Sequence, residues 1–237
     1  MNVEIKTFKA TENNELCLEY DFYHKESLSK ISYLDADKIK SSGNKWMHDE
    51  KIYLITARNK ETNELLGGTR IHISNSEDVL PVERAVAHLD SNLSHLANYY
   101  REEGLTAEIS GLWNNQRGRL SFAITEQLVI SAIAISAQLN INTLVSFVGK
   151  HTYKVARKMG FTTEETVGNA GDFPYPEEKF PSTVLSMTPN YPENADINVQ
   201  TKVYNLIHDL ENDLNFDLNQ AIQVFEYNES IKELVKA

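Results

Sequence analysis

Six consecutive residues, Asn114, Asn115, Gln116, Arg117, Gly118 and Arg119, carry the densest chemical signal in the chain. They lie between a strand-length run at 107–113 and a helix-length apolar run that opens with Leu120 and Ser121. The first turn of a helix leaves its N–H groups unpaired and sits at the positive end of the helix dipole. A strand-to-helix turn of this kind therefore receives an anion such as a pyrophosphate. Two Arg side chains add charge. The same residues also fit a plain Gly/Asn turn whose arginines are solvated.

Two further residues stand out by type. Arg70 follows Gly67-Gly68 in a strand-length run, where glycines permit close backbone approach. It fits either an exposed strand face or contact with a charged ligand in a cleft. Trp46 fits either a lid over the core or one wall of a substrate pocket. Other chemistries are set aside by their missing motifs. HExxH, GxSxG and the Rossmann glycine pattern are absent, and Gly149-Lys150 lacks the earlier Gly and the following Ser or Thr of a phosphate loop. His88 and His95 lie seven apart without a third ligand, and the single Cys17 excludes an intrachain disulfide or a Cys-based zinc site, so no metal is expected.

The elements that must hold these residues follow from periodicity. Residues 3–8 predict a strand, followed by a helix through Cys17, Leu18 and Phe22. Strands at 52–58 and 65–73 are joined by a polar hairpin loop, and a helix starts at Pro81 and runs to about Tyr100. Then come the strand at 107–113, the buried helix at 120–139, a strand ending at Val148 and a short basic helix at 150–158. A strand at 161–167, a Gly/Pro loop at 168–181 and a strand at 183–188, placed antiparallel to its predecessor, complete the unit. Ser41, Ser42, Gly43 and Asn44 predict a flexible turn. Strands alternating with helices predict βαβ units and a partly parallel sheet, with a ligand at the carboxyl ends of the strands.

From Pro189 the composition shifts to nine acidic and three basic residues. Val199, Val203, Leu206, Ile207, Leu210 and Leu214 predict one amphipathic helix, and Leu218, Ile222 and Phe225 another. The expectation is therefore a main unit at 1–188 and an acidic amphipathic helical extension at 189–237. With 237 residues, 41% hydrophobic and 24% charged, two independent domains are not expected. A net charge of −11 disfavours nucleic acid and anionic lipid as partners. The first residues lack a signal-peptide pattern, and the most apolar segment is interrupted by Ser121, Thr125, Glu126, Gln127, Ser131, Ser136 and Gln138. No membrane span and a cytoplasmic location are expected.

This order of elements resembles the GNAT superfamily of N-acyltransferases over roughly residues 3–188. The most specific pieces are Gln116-Arg117-Gly118-Arg119 opening the helix, and Lys158-Met159-Gly160-Phe161, similar to the superfamily's "K-x-G-F" ending. Leu66-Gly67-Gly68-Thr69-Arg70-Ile71 is similar to the "GG-x-R-L" strand of acyl-homoserine-lactone synthases and related N-acyl amino acid synthases. Ala107-Glu108-Ile109-Ser110 is similar to their "E-[LIV]-S-R", with Gly111 in place of the Arg. Leu120 and Phe122 stand where the superfamily usually has glycines, and Ala156 where it usually has a tyrosine.

The resemblance implies an α/β (α+β) fold with a mixed, centrally splayed sheet flanked by helices. It implies transfer of an acyl group from an acyl-CoA, acetyl or longer, or from an acyl-carrier protein, to a small-molecule amine. Glu108 is the expected base and Tyr153 the expected acid for the leaving thiolate. Gln116, Arg117, Gly118, Arg119, Leu120, Ser121 and Lys154 are the expected donor-binding residues. Arg70 and Trp46 are expected to bind the acceptor. Lys150, His151, Lys154, Arg157 and Lys158 make a basic helix suited to coenzyme A phosphates or to an acidic carrier protein. A competing reading is a degenerate module of the same fold that binds a thioester or a protein partner without turnover.

Overall fold

A computed structural model describes residues 1–30, 44–74, 78–213 and 221–227. The elements are β1 (Asn2–Lys9), α1 (Asn14–Ser29), a short 3-10 turn (Asn44–His48), β2 (Ile52–Asn59), β3 (Leu65–Ser74), α2 (Pro81–Val86), α3 (Asn92–Glu103) and β4 (Thr106–Asn114). They continue with α4 (Gly118–Gln138), β5 (Thr143–Gly149), α5 (Lys150–Lys158), β6 (Thr162–Thr163), β7 (Asp172–Pro174), β8 (Pro181–Met187), α6 (Ile197–Asn212) and β9 (Ala221–Glu226). One sheet runs in the order β6-β8-β5-β4-β3-β2-β1-β9, with β7 also on β8. Its pairings are antiparallel except β4 with β5, which is parallel.

The helix α4 explains why the sheet is built this way. Its apolar side chains, Ile124, Leu128, Ile130, Ile133 and Ile135 among them, are buried against one face of the strands, each such burial contributing about 1.5–3 kcal/mol. By length and composition α4 could cross a membrane, but 67% of its apolar window is buried inside the fold. α6 covers α4 through Val199, Val203, Leu206, Ile207 and Leu210. On the opposite face α1 packs Cys17 and Tyr20 against Leu54, Leu65 and Trp113, while α2 and α3 cover Val145 and Val184.

Several expectations change. The single helix from Pro81 is two helices, because Asp90 takes the Asn92 N–H at 2.9 Å and the Gly168 N–H at 2.7 Å and so redirects the chain between α2 and α3. The strand expected at 161–167 is confined to Thr162–Thr163, and the following loop contains β7. β8 is antiparallel to β5 and β6, as expected. The second tail helix is instead β9: Phe225 packs on the core while Val224 and Glu226 are exposed, Ile222 is buried at a register shift, and the ladder to β1 supplies the backbone hydrogen bonds. Leu214, Leu218 and the turn at 41–43 lie outside the described residues.

Candidate active site

β4 and β5 pair only from Thr106 with Thr143 to Ile109 with Ser146. Beyond that point β4 stays on β3 and β5 stays on β8, so the two strands part. The parting is reinforced by a bulge: Gly68 faces Trp113 and Arg70 faces Ser110, leaving Gly111 and Leu112 opposite Thr69 alone. Gly111 has φ +63°, and a Cβ there would meet the Tyr20 hydroxyl at 2.5 Å and Arg70 Nε at 2.9 Å. A side chain is thus excluded twice, and the Tyr20 hydroxyl donates to the Gly111 carbonyl. Gly68 shows the expected close approach, with the Tyr20 ring 2.9 Å from where a Cβ would stand.

A cavity of about 520 Å³ fills the gap between the strands. Toward α4 and α5 its wall is apolar, from Val129, Val148, Val155, Ala156 and Phe161. Toward α1 and α2 it meets His24, Glu108 and Ser110. Exposed Lys150, His151 and Lys179 add a basic edge.

Glu108 is 3% exposed, and its Oε2 accepts the Val82 N–H at 2.7 Å. Burial pushes its carboxyl up to about 8, Glu83 adds to the rise, and the Val82 bond with Arg70 and Arg84 opposes it. His24 lines the same cavity with an Nδ1 that has no hydrogen-bond partner among the described residues. Burial first, then Arg70, brings it down to about 3, so it is neutral.

The register puts Arg70 and His72 opposite Ser110 and Glu108, so Arg70 and Glu108 share one face of the sheet. Arg70 is nevertheless 0% exposed, with its guanidinium 4.6 Å from the Trp46 ring centroid and 5.5 Å from that of Tyr20. Neither Arg70 nor Trp46 lines the cavity. Tyr153 also stands outside it, its hydroxyl 3.1 Å from Thr163 Oγ1.

Gln116, Arg117, Gly118, Arg119, Leu120 and Ser121 follow the end of β4. The side chain of Asn114 closes the turn by accepting the Gln116 N–H at 3.1 Å, and Asn115 ties it to the Leu65 carbonyl at 3.2 Å. Arg117 and Arg119 are exposed, and no atom lies within 4 Å of the space beside Gly118. Lys154 is exposed on α5. The structure therefore gathers Glu108 with the β4 bulge, leaves the turn open to solvent, and sets Tyr153, Arg70 and Trp46 apart from the cavity. The sequence reading missed His24 and the α2 contact to Glu108; neither has a local pattern that distinguishes it from packing.

No protein-family model and no curated protein sequence matches the chain. Solved structures do. FeeM, an N-acyl amino acid synthase from uncultured soil microbes, superposes with a TM-score of 0.60 at 14% identity, covering 84% of this chain and 97% of its own. BjaI, a CoA-dependent acyl-homoserine lactone synthase solved with SAM and isopentyl-CoA, gives a TM-score of 0.53 at 13% identity over 87% of this chain and 90% of its own. At such identities the likeness is one of architecture alone: the chain has a GNAT-like fold.

Proposed function

We propose that the chain is an N-acyltransferase that moves an acyl group from a thioester donor, an acyl-CoA, to an amine acceptor. The observation that carries this reading is a buried carboxyl on the wall of a cavity between two parted strands, one of which has an unpaired edge at a bulge. Glu108 is the base. An α-amino group titrates near 8 and so does Glu108, so the proton passes between matched partners. The amine nitrogen then forms a C–N bond to the thioester carbonyl carbon, and the C–S bond breaks with its electron pair on sulfur. The second proton that the acylated nitrogen loses passes, directly or through water, to the thiolate, so the products are a neutral amide and a free thiol, and Glu108 returns its own proton to solvent. A backbone N–H on the β4 edge past Ile109 steadies the oxygen that gains charge.

Residues 116–121 and Lys154 hold the donor's phosphates, and the apolar half of the cavity takes the acyl chain. Arg70 acts through its field, biasing Glu108, His24 and His72, with Trp46 as the ring that keeps it dry. Ala156 at the usual tyrosine position and the engaged Tyr153 favour the second reading, a module that holds a thioester without turnover. Thiol release from short- and long-chain acyl-CoA with a panel of primary amines decides between them. Amine-dependent release supports the enzyme; saturable binding of acyl-CoA without release supports the module.

A further inference from the structure

The contact that holds Glu108 comes from a helix of six residues, and that helix is itself held. Arg101 of α3 donates Nη1 to Glu83 Oε2 at 2.7 Å and Nη2 to Glu83 Oε1 at 2.9 Å, a bidentate pair with side chains 11% and 3% exposed. Glu83 Oε2 also accepts the Leu80 N–H at 2.9 Å, which closes the start of α2. Two residues on, the Val82 N–H reaches Glu108 Oε2 at 2.7 Å. Arg101 is aimed by Asn98 Oδ1 at 2.7 Å and Ser74 Oγ at 2.9 Å. A continuous series of hydrogen bonds and one helical turn therefore connects α3 to the carboxyl in the cavity.

We propose that Arg101 is a positioning residue: through its pair with Glu83 it fixes the first turn of α2 so that the Val82 N–H stays on Glu108. The proposal rests on reading Glu108 as the base. The alternative, that the pair serves packing alone, predicts no electrical effect on Glu108. The charged and titratable groups facing Glu108 are Glu83 and Arg84 from α2 and Arg70 and His72 from β3, with His24 of α1 on the same cavity. Glu83 favours the protonated carboxyl, and the Val82 bond favours the ionised one. Loss of Arg101 leaves the Glu83 charge uncompensated and loosens Val82, and both changes raise the Glu108 midpoint. Glu83→Gln removes the charge while its amide oxygen can still accept from Arg101, so the Val82 contact is kept and the midpoint falls. Opposite shifts from the two ends of one ion pair are not produced by packing.

The test is a pH titration of the full chain labelled with carboxyl-13C glutamate, the Glu108 resonance being assigned by its absence in E108Q. R101M is expected to raise the midpoint by about one pH unit, the scale of an uncompensated nearby like charge. E83Q is expected to lower it, and R101K, which keeps the charge but not the two-pronged pair, to fall between R101M and the unsubstituted protein. Midpoints that stay put in R101M and E83Q, or move in the same direction, overturn the proposal. If R101M does not fold, an unmoved midpoint in E83Q is sufficient to overturn it. Thiol release by E108Q keeps the two readings apart. Undiminished release with shifted midpoints removes Glu108 as the base and leaves the positioning intact; abolished release with fixed midpoints removes only the positioning.

Discussion

Two buried carboxylates on neighbouring elements meet opposite surroundings. Glu126 on α4 is bridged by Lys158 of α5 at 2.9 Å and by Lys202 of α6, and these partners bring its carboxyl below the usual range against the opposing effect of burial. Glu108 on β4 has a single backbone N–H and no cation within salt-bridge distance among the described residues, and burial takes it up to about 8. The first arrangement joins three helices and leaves its acid nothing to do. The second binds its proton more tightly than a solvated carboxyl does, next to a cavity, which is a poor way to stabilise a fold near neutral pH and suits proton exchange with an amine.

The largest expected effect is on turnover. Glu108→Gln should reduce amine-dependent thiol release by about 10²–10⁴-fold, the usual contribution of a general base, with acyl-CoA binding unchanged. Glu126→Gln should leave release near the unsubstituted value. Equal losses in the two variants would erase the distinction between them.

Next in size is a loss of donor affinity that brings in charges left in water. Replacing Arg117 and Arg119 together by Ala should weaken acyl-CoA binding by about 1–3 kcal/mol in sum, read by calorimetry or from the ligand-induced rise in Tm. An unchanged Kd would leave the turn before α4 as a turn only.

Stability should depend on pH with opposite signs. Glu108 binds its proton more tightly folded than unfolded, so its contribution is present below about 4.5 and is lost as pH rises toward about 8, by at most about 1.4 kcal/mol per pH unit. Glu126 is lowered, so its contribution is present above the ordinary value of 4.5 and is lost as pH falls below it. Denaturation midpoints of E108Q should therefore flatten the decline between pH 5 and 8, while E126Q should flatten the decline on the acid side. The smallest effect is Glu126→Gln at pH 7, about 1 kcal/mol, because Lys158 and Lys202 are 37% and 47% exposed and partly screened.

Much of this contrast was legible in the sequence on one side and hidden on the other. Residues 107–158 announced their strands and helices through local periodicity and turn chemistry, and Glu108 fell near the start of the strand read at 107–113. Arg70 could not be placed, because nothing local distinguishes an arginine on a strand that faces solvent from one sealed beneath Trp46 and Tyr20. Tyr153 looked available, but its hydroxyl is engaged by Thr163 across a turn of chain. Asp90 did carry a signal for the break between α2 and α3, being a capping residue type three residues before Leu93, and its second partner, Gly168, lies 78 positions away. Ile222 and Phe225 fit a helical stripe as well as a strand, and the choice was made by β1 rather than by their neighbours.

That last pairing has a consequence in time. Residues 2–6 hydrogen-bond to residues 221–226, so one edge of β1 must wait for chain made more than two hundred codons later. At about 5–20 residues per second this is an interval of roughly 10–40 s during which β1 can pair with β2 while its other edge stays open. An edge in that state is a place where a second nascent chain can add. Glu4 and Lys6, joined at 2.9 Å, keep charged side chains on this strand during the wait.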